Sequence, residues 1–201
     1  MNGAYLGPEY SNENIKAYLD KNGLSYSKLN DQELPEKIAD LISEQKVVGW
    51  FQGRMEYGPR ALGNRSILGD PRVPDMQKKM NIKIKNRESF RPFAPAILDS
   101  YKKELFGIEY ASPYMLITRN LSEKYLIDSD PKDTRYGIDK VNQIRSIYPG
   151  ITHLDNSCRV QTVDANRNPK FYSLLKEFYK ITNCPMLINT SFNVRGEPIV
   201  C

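Results

Sequence analysis

Three arginines stand among glycines and a proline in one short stretch, "GRMEYGPRALGNRS" at residues 53–66. Arg54, Arg60 and Arg65 share this stretch, here named the arginine–glycine loop, with a single acid, Glu56. Guanidinium groups bind phosphate and carboxylate oxygens in pairs, and glycines allow a backbone to approach a ligand closely. The composition therefore favours an anion-binding loop. The alternative is a structural turn in which Glu56 pairs with an arginine.

A second basic cluster occurs in "KIKNRESFRPFAP", which contains Lys83, Lys85, Arg87 and Arg91 and only one acid, Glu88. Like the arginine–glycine loop, it directly precedes an apolar segment. Two such clusters together strengthen the prediction of a site for anionic groups. The alternative is the solvated basic end of a helix, because runs of lysines commonly serve only to keep a surface soluble.

The segment "DNSCRVQTV" places a charge and an amide on a predicted strand. Side chains alternate between the two faces of a strand, so Arg159 and Gln161 share one face, opposite Val160 and Thr162. This pair could contribute to the same polar surface as the two basic clusters. A half-exposed strand without a ligand would show the same pattern.

A fourth polar segment, "NTSFNVRGEP", joins a predicted strand to a glycine turn. It carries Asn189, Thr190, Ser191, Asn193 and Arg195. Hydroxyl and amide groups in a loop after a strand can bind phosphate oxygens or the hydration shell of a magnesium ion. A turn closed by its own Asn and Ser side chains, without a ligand, is an equally good explanation of these residues.

Several kinds of chemistry lack the residues they need. The chain has one histidine, His153, and three cysteines far apart, Cys158, Cys184 and Cys201, which are too few for a Cys/His metal site. No nucleophile–base pair and no acidic cluster for two metals can be argued from spacing. A site rich in cations and poor in bases suits phosphoryl or nucleotidyl transfer, where positioning and charge neutralisation dominate.

The elements that would position these residues predict an α/β or α+β domain around a mixed, twisted sheet. Helices are predicted in "SNENIKAYLDKNG", "LPEKIADLISEQK", "VPDMQKKMNIKIK" and "NPKFYSLLKEFYKITN". Strands are predicted in "VVGWFQ", "RSILGD", "FRPFAPAIL", "SPYMLIT" and "PMLIN", and a strand or a hairpin bent at Asp155-Asn156 in "GITHLDNSCRVQTVD". The polar region of residues 121–150 is predicted to be a loop.

Four of these segments, "GRMEYGPRALGNRSIL", "IKNRESFRPFAPAI", "CRVQTV" and "PMLINTSFNVRGEPIV", occur in an order and at separations that resemble one known family. This family comprises the carbamoyltransferases of nodulation and antibiotic biosynthesis, and the likeness is to their C-terminal domain. It spans roughly residues 45–201, after an N-terminal helical lead-in at residues 1–44. The resemblance implies a YrdC-like fold, an α/β (α+β) domain with a twisted mixed β-sheet flanked by helices.

The resemblance also implies a function. The domain would bind ATP and carbamoyl phosphate with Mg²⁺, release phosphate and form carbamoyl adenylate and pyrophosphate. On this basis Arg60, Arg91 and Lys85 are the expected catalytic residues, and no residue is expected to ligate a metal directly. The expected substrate- and nucleotide-binding residues are Arg54, Arg65, Arg87, Arg159, Gln161, Asn189, Ser191 and Asn193.

The same resemblance sets expectations about partners. The family's N-terminal ASKHA-like domain, which transfers the carbamoyl group to an acceptor, is not present in these 201 residues, and the chain ends inside its last motif. We therefore expect a C-terminally truncated domain, small-molecule substrates, a possible homodimer, and no complete transfer. The alternatives are a nucleotide- or double-stranded-RNA-binding module without catalysis, and a non-catalytic interaction piece. Nucleic acid is the less favoured partner because aromatic residues do not interleave the basic clusters.

Composition and hydropathy indicate the charge of the ligand and the location of the protein. The chain carries a formal net charge of +5, which argues weakly for an anionic ligand. No segment approaches the ~18 apolar residues of a membrane-spanning helix, and the first residues lack the pattern of a secretory signal. Together with cysteines predicted to be reduced, this favours a cytoplasmic protein that does not bind membranes.

Overall fold

A computed structural model describes residues 3–128 and 134–201 of the chain. The α-helices are α1 Asn12–Lys21, α2 Glu33–Ser43, α3 Met76–Lys83, α4 Lys102–Phe106 and α5 Pro169–Thr182. The strands are β1 Val48–Phe51, β2 Arg65–Gly69, β3 Ala94–Leu98, β4 Ile117–Asn120, β5 Ser157–Val163 and β6 Met186–Ser191. Short 3₁₀ helices span Asp99–Tyr101, Glu123–Tyr125 and Gly137–Asn142. None of the described helices is both long and apolar enough to cross a lipid bilayer.

The six strands form one mixed sheet in the order β1-β2-β6-β3-β5-β4. Only the β3–β5 pair is parallel, and the other four pairs are antiparallel. The three central strands β2, β6 and β3 are buried along most of their length. This open sheet with flanking helices confirms the predicted α/β (α+β) fold class.

Helix α5 packs against α2 and lies against the central strands β3 and β6. It begins where the sequence indicates, because Asn168 accepts a hydrogen bond from the backbone N–H of Phe171 and Pro169 occupies the first turn. Its apolar side chains recur at helical spacing and are buried: Phe171, Leu174, Leu175 and Phe178. They form the largest contribution of any helix to the hydrophobic core.

Helix α1 is a surface helix, as predicted. Ser11 caps its first turn, with its hydroxyl 3.1 Å from the backbone N–H of Asn14, and no residue of the helix is buried. Helix α3 lies within the predicted helical segment and buries Met76 and Met80.

The strand predicted in "SPYMLIT" is displaced. Strand β4 begins only at Ile117, because Met115 has a φ of 54°, which is incompatible with an extended backbone. The segment "GITHLDNSCRVQTVD" forms a turn at Asn156, with φ of 62°, followed by a single strand rather than a hairpin. In the predicted loop of residues 121–150, 3₁₀ turns occur, while residues 129–133 lie outside the described residues.

Candidate functional site

The register of the sheet brings the four predicted polar segments to one edge. Ser66 of β2 and Ser191 of β6 are paired, as are Ala94 of β3 and Asn189 of β6. Strand β5 runs parallel to β3 with Gln161 opposite Ala96, so Arg159 near its start lies toward the same edge. The carboxyl end of β6 therefore meets the amino ends of β2, β3 and β5.

A cavity of about 190 Å³ opens at this edge. It is here named the cationic cavity, because four of its side chains carry positive charge. Its lining residues are Lys85, Arg87, Arg91, Ser191, Asn193, Val194, Arg195 and Gly196. Five expected site residues from two motifs that are far apart in the sequence thus share one cavity wall.

Lys85 is the buried centre of this cavity, with 4% of its surface exposed. Its ammonium group donates to the carbonyl of Ser191 at 2.6 Å, and to the carbonyl and Oδ1 of Asn193, both at 2.8 Å. Burial, together with the nearby charge of Arg87, lowers the pKa of Lys85 to about 8. The lysine therefore fixes the loop after β6 while remaining largely charged at neutral pH.

The other cations of the cavity lie close enough to repel one another. Burial lowers the pKa of Arg87, and the charges of Arg91 and Arg159 lower it further. The Nε atom of Arg87 donates to Oδ1 of Asn81 at 2.6 Å, which holds the guanidinium in place without cancelling its charge. The carboxylate of Glu88 lies 2.8 Å from Nε of Arg91 and 3.9 Å from Nη1 of Arg195.

The basic surface continues from the cationic cavity to the arginine–glycine loop. Burial and the charge of Arg60 lower the pKa of Arg159, which places these two guanidinium groups within electrostatic reach of each other. Arg159 in turn acts on Arg87. Arg60, Arg159, Arg87 and Arg91 thus form a chain of neighbouring positive charges along the sheet edge.

Gln161 and Asn189 lie beneath this surface rather than on it. Both are buried, and Nδ2 of Asn189 donates to Oε1 of Gln161 at 2.8 Å. Their remaining amide donors bind the carbonyls of Ala61 and Leu62 in the arginine–glycine loop, at 3.1 and 2.8 Å. These two residues attach the loop to the sheet, and Oδ1 of Asn189 is buried without a hydrogen-bond partner.

Arg65 is completely buried, and protein carbonyls occupy its terminal donors. Its Nη1 atom lies 2.8 Å from the carbonyl of Gln52 and 3.1 Å from that of Gly53, and Nη2 lies 3.2 Å from that of Pro8. The guanidinium also stacks on the ring of Phe51 at 3.6 Å. Arg65 thus holds three segments of backbone together.

Arg54 lies apart from the cationic cavity. It donates to the carbonyl of Gly7 at 3.2 Å, lies 3.7 Å from Glu9, and lines a larger cavity of about 760 Å³. That cavity lies between the N-terminal segment, the arginine–glycine loop and the start of α5. The structure therefore places Lys85, Arg87, Arg91, Ser191 and Asn193 in the cationic cavity, with Arg159 within electrostatic reach of Arg87 and Arg60 within reach of Arg159, and places Arg54 elsewhere.

Comparison with known sequences identifies the fold's relatives. The profile of the family described as "Carbamoyltransferase C-terminus" matches residues 39–201, which is most of the chain. The chain belongs to the carbamoyltransferase C-terminus family. This confirms the resemblance drawn from the four motifs.

Individual relatives of this carbamoyltransferase C-terminal domain come from bacteria and archaea. An uncharacterized protein of Synechocystis sp. is 51% identical over 204 residues, which cover 100% of the chain and 33% of the relative. Nodulation protein NolO of Bradyrhizobium diazoefficiens is 36% identical over 201 residues, 98% of the chain and 33% of the relative. An uncharacterized protein of Methanocaldococcus jannaschii is 36% identical over 200 residues, 98% of the chain and 30% of the relative. The chain thus spans about a third of the length of these proteins.

Glu56 organises the arginine–glycine loop of this carbamoyltransferase domain, a role that the sequence analysis missed. Its carboxylate is 4% exposed, and Oε1 accepts the backbone N–H groups of Leu62 at 2.6 Å and Asn64 at 2.8 Å, with that of Arg65 at 3.4 Å. Within the described residues Glu56 forms no salt bridge to an arginine, contrary to the alternative considered for this loop. A lone acid among glycines and arginines was the available signal, since such a carboxylate can close a loop through backbone donors.

The donor set of the cationic cavity fits anions better than a protein-held metal. Among the described residues no group of three or more His, Cys, Asp or Glu side chains could hold a metal ion. The oxygen atoms of Ser191 and Asn193 face the Lys85 ammonium, so a cation bound to them would meet a positive charge. Mg²⁺, if used, fits this site only when it arrives coordinated by the phosphates of a nucleotide.

Proposed function

We propose that this domain binds ATP and carbamoyl phosphate at the cationic cavity and forms carbamoyl adenylate. The observation that carries the proposal is the cationic cavity, in which Lys85, Arg87, Arg91 and Arg195 lie together while the neighbouring Glu88 pairs with two of them, Arg91 and Arg195. Membership of the carbamoyltransferase family supplies the class of reaction. Both substrates are phosphorylated, and their reaction brings several negative charges together.

The reaction proceeds in two steps. Water cleaves carbamoyl phosphate to carbamate and phosphate. A carbamate oxygen then attacks the α-phosphorus of ATP, the bond to the β-phosphate oxygen breaks, and pyrophosphate leaves with the released electron pair. Neither step requires an oxidant or a reductant, and the negative charge that develops on pyrophosphate is what the site must stabilise.

The side chains of the chain contribute positioning and charge. Arg60, Arg91 and Lys85 are proposed to neutralise the leaving pyrophosphate and the incoming carbamoyl group, since they are carried on two separate segments of the chain that converge on the edge. Arg87 and Arg159 are proposed to extend the same region of positive electrostatic potential. Ser191 and Asn193 are proposed to contact phosphate oxygens or a magnesium hydration shell, with the loop after β6 held by Lys85.

Other expected binding residues are proposed to act indirectly. Gln161 and Asn189 hold the loop that carries Arg60, and Arg65 joins that loop to the N-terminal segment. The transfer of the carbamoyl group to an acceptor is proposed to need the remainder of a longer protein, which includes an ASKHA-like N-terminal domain. We also propose that the protein is cytoplasmic and that it forms a homodimer.

Isotope exchange tests the proposal. The 201-residue chain is incubated with ATP, Mg²⁺, carbamoyl phosphate and labelled pyrophosphate, and label in ATP is counted. Exchange that depends on carbamoyl phosphate is expected, and Arg91→Ala and Arg60→Ala should lower it at least about tenfold, equivalent to ~1.4 kcal/mol. The matched control is Arg119→Ala, an exposed arginine on β4, which should not change it.

Binding measurements on the same chain distinguish the alternative functions from the proposed one. Nucleotide binding by calorimetry without exchange would favour a binding module, and steeply salt-dependent RNA binding that ATP does not displace would favour an RNA partner. Absence of both exchange and nucleotide binding would refute the proposal for this chain. Equal exchange by the wild type and Arg91→Ala would remove Arg91 from the site.

A further inference from the structure

Helix α3 carries a buried polar side chain, Asn81, next to the segment that bears three of the four cations of the cationic cavity. This segment, residues 84–91, follows α3 and is here named the basic loop. Asn81 is 0% exposed and lies on the buried side of the helix with Met76 and Met80. Asparagine is a poor helix former, and burying an amide costs free energy unless it is hydrogen-bonded. Its presence in this helix therefore needs partners that an apolar side chain could not supply.

Both polar atoms of the Asn81 side chain bind the basic loop. Nδ2 donates to the carbonyl of Arg91 at 2.8 Å and to that of Ser89 at 3.2 Å. Oδ1 accepts from Nε of Arg87 at 2.6 Å, and the backbone carbonyl of Asn81 accepts from the backbone N–H of Arg87 at 3.1 Å. One residue thus holds the backbone at the end of the loop and a guanidinium in its middle.

The Arg87 guanidinium owes its direction to this hydrogen bond. The backbone turns at Asn86, where φ is 47°, and after this turn Arg87 is half-buried with its Cζ atom 5.0 Å from the centre of the Phe93 ring. A contact with a ring face leaves a guanidinium free to rotate in its own plane, whereas a hydrogen bond prefers one direction. Oδ1 of Asn81 therefore determines where the remaining donors of Arg87 point.

The neutral charge of the Asn81 side chain suits an anion site. Asn81→Asp would keep an acceptor for Nε of Arg87, but its carboxylate would cancel the charge of Arg87 and would offer no donor to the two carbonyls. Asn81→Leu would fill a similar space but would leave all three partners without this hydrogen bond. An amide is able to orient a guanidinium, donate to a carbonyl and add no charge.

We propose that Asn81 is a positioning residue for the anion bound in the cationic cavity. It holds Arg87 and the backbone of the basic loop in place before a ligand enters, and it leaves the charge of Arg87 available to that ligand. Because these groups are ordered in the free protein, binding does not carry the entropy cost of ordering them. Asn81 is fully buried, so it acts on a ligand only through the residues that it holds. This role rests on the function proposed for the cationic cavity.

Nuclear magnetic resonance of the arginine side chains in the 201-residue chain tests the contact without a ligand. The Nε–H of Arg87, assigned with Arg87→Lys, should exchange with solvent at least about tenfold more slowly than that of the exposed Arg119. Asn81→Ala should remove most of this protection. The matched control is Gln77→Ala, because Gln77 donates to the same two carbonyls, at 3.5 and 3.2 Å, through a side chain that does not hold Arg87. It should leave the Arg87 exchange rate unchanged.

Calorimetry with pyrophosphate tests the consequence for binding. Asn81→Ala should weaken the affinity at least about fivefold, and Gln77→Ala by less than about twofold. In an Arg87→Ala background, Asn81→Ala should weaken it by less than about twofold further, because its main partner is already absent. Asn81→Asp serves as the second variant if Asn81→Ala fails to fold. It should keep the slow exchange of Arg87 but weaken binding at least about fivefold, because the charge of Arg87 is cancelled.

Three results would overturn the role of Asn81. They are an unchanged Arg87 exchange rate or pyrophosphate affinity in Asn81→Ala, an equal loss of affinity in the wild-type and Arg87→Ala backgrounds, and wild-type affinity in Asn81→Asp. An equal loss in both backgrounds is what a merely structural role would give. A wild type that binds no pyrophosphate would refute the function proposed for the cationic cavity and this role with it. A wild type that binds pyrophosphate no better than its Asn81 variants would refute only the role of Asn81.

Discussion

Replacement of Glu56 tests whether one carboxylate closes the arginine–glycine loop. In Glu56→Gln the side chain keeps an acceptor for the N–H groups of Leu62 and Asn64 but loses its charge. A hydrogen bond to a charged group contributes ~1.5–3 kcal/mol and a neutral one ~0.5–1.5, so each short bond loses about 1 kcal/mol. The 3.4 Å contact to Arg65 is too long to count.

The net loss is expected to be somewhat smaller than the sum of the two bonds. Oε2 of Glu56 is buried without a partner, so removing the charge also removes part of a desolvation cost. We expect Glu56→Gln to lower the free energy of unfolding by about 1–2 kcal/mol, or the melting temperature by about 2–8 °C for a chain of this size. Glu56→Ala, which leaves both N–H groups unpaired, should cost about 2–6 kcal/mol.

Scanning calorimetry of the variants measures these changes. The matched control is Glu9→Gln, because Glu9 neighbours the same loop but its side chain is 52% exposed and lies 3.7 Å from Arg54. Such an exposed pair is worth at most about 0.5–1 kcal/mol. If Glu56→Gln and Glu9→Gln melt within about 1 °C of each other, the two short N–H contacts of Glu56 do not hold the loop and the reasoning is wrong.

Three further variants test other parts of the same region. In urea titrations Arg65→Lys should lower the free energy of unfolding by about 2–4 kcal/mol, because an ammonium cannot reach the carbonyls of both Pro8 and Gln52. Arg54→Lys, at an exposed site, should change this free energy by under about 0.5 kcal/mol. Gly63→Ala should lower the free energy of unfolding by at least about 3 kcal/mol in the same assay, because Gly63 has a φ of 105° and a Cβ there would lie 2.3 Å from the Phe171 ring. Gly58→Ala should lower it less, because Gly58 has a φ of 122° but faces open space. In calorimetry, pyrophosphate binding should weaken as the pH rises through about 8, because Lys85 loses its proton there. Lys85→Gln should abolish this dependence on pH, whereas Lys83→Gln should not. Above about pH 8 the unfolded chain, in which a lysine has a pKa of ~10.4, binds more protons at Lys85 than the folded chain does. Lys85 by itself therefore makes the free energy of unfolding rise with pH in that window. A fall in this free energy that is confined to the wild type would contradict the assignment.

The elements that could be predicted from the sequence are those with a strong apolar pattern. Helix α5 buries residues at helical spacing, and strand β6 is a short run whose first four residues are all buried, so the pattern and the structure agree in both. Strand β4 could not be placed correctly, because the backbone at Met115 turns to a φ of 54° although its side chain is apolar. Composition does not reveal a local backbone conformation that tertiary contacts impose.

The arrangement of the site was only partly predictable for a related reason. The motifs indicated which segments meet, but residue type alone does not separate Arg65, buried among carbonyls, from Arg60, exposed on the same loop. The distinction depends on Pro8, a residue far away in sequence whose carbonyl accepts from Arg65. Lys85 and Lys83 differ in the same way, since only Lys85 reaches the end of β6.

The choice of hydrogen-bond partners explains how the cationic cavity keeps its charge. Lys85 and Arg87 are held by neutral oxygens of Ser191, Asn193 and Asn81, which fix their positions without neutralising them. Arg72, by contrast, is held by the carboxylate of Asp70, so this pair contributes no net charge. Because neighbouring cations repel one another, the fold must hold them in place before any ligand binds, and an anion that enters then gains attraction from groups that need no rearrangement. The partners, rather than the number of arginines, therefore determine how much positive charge a cavity offers to an anion.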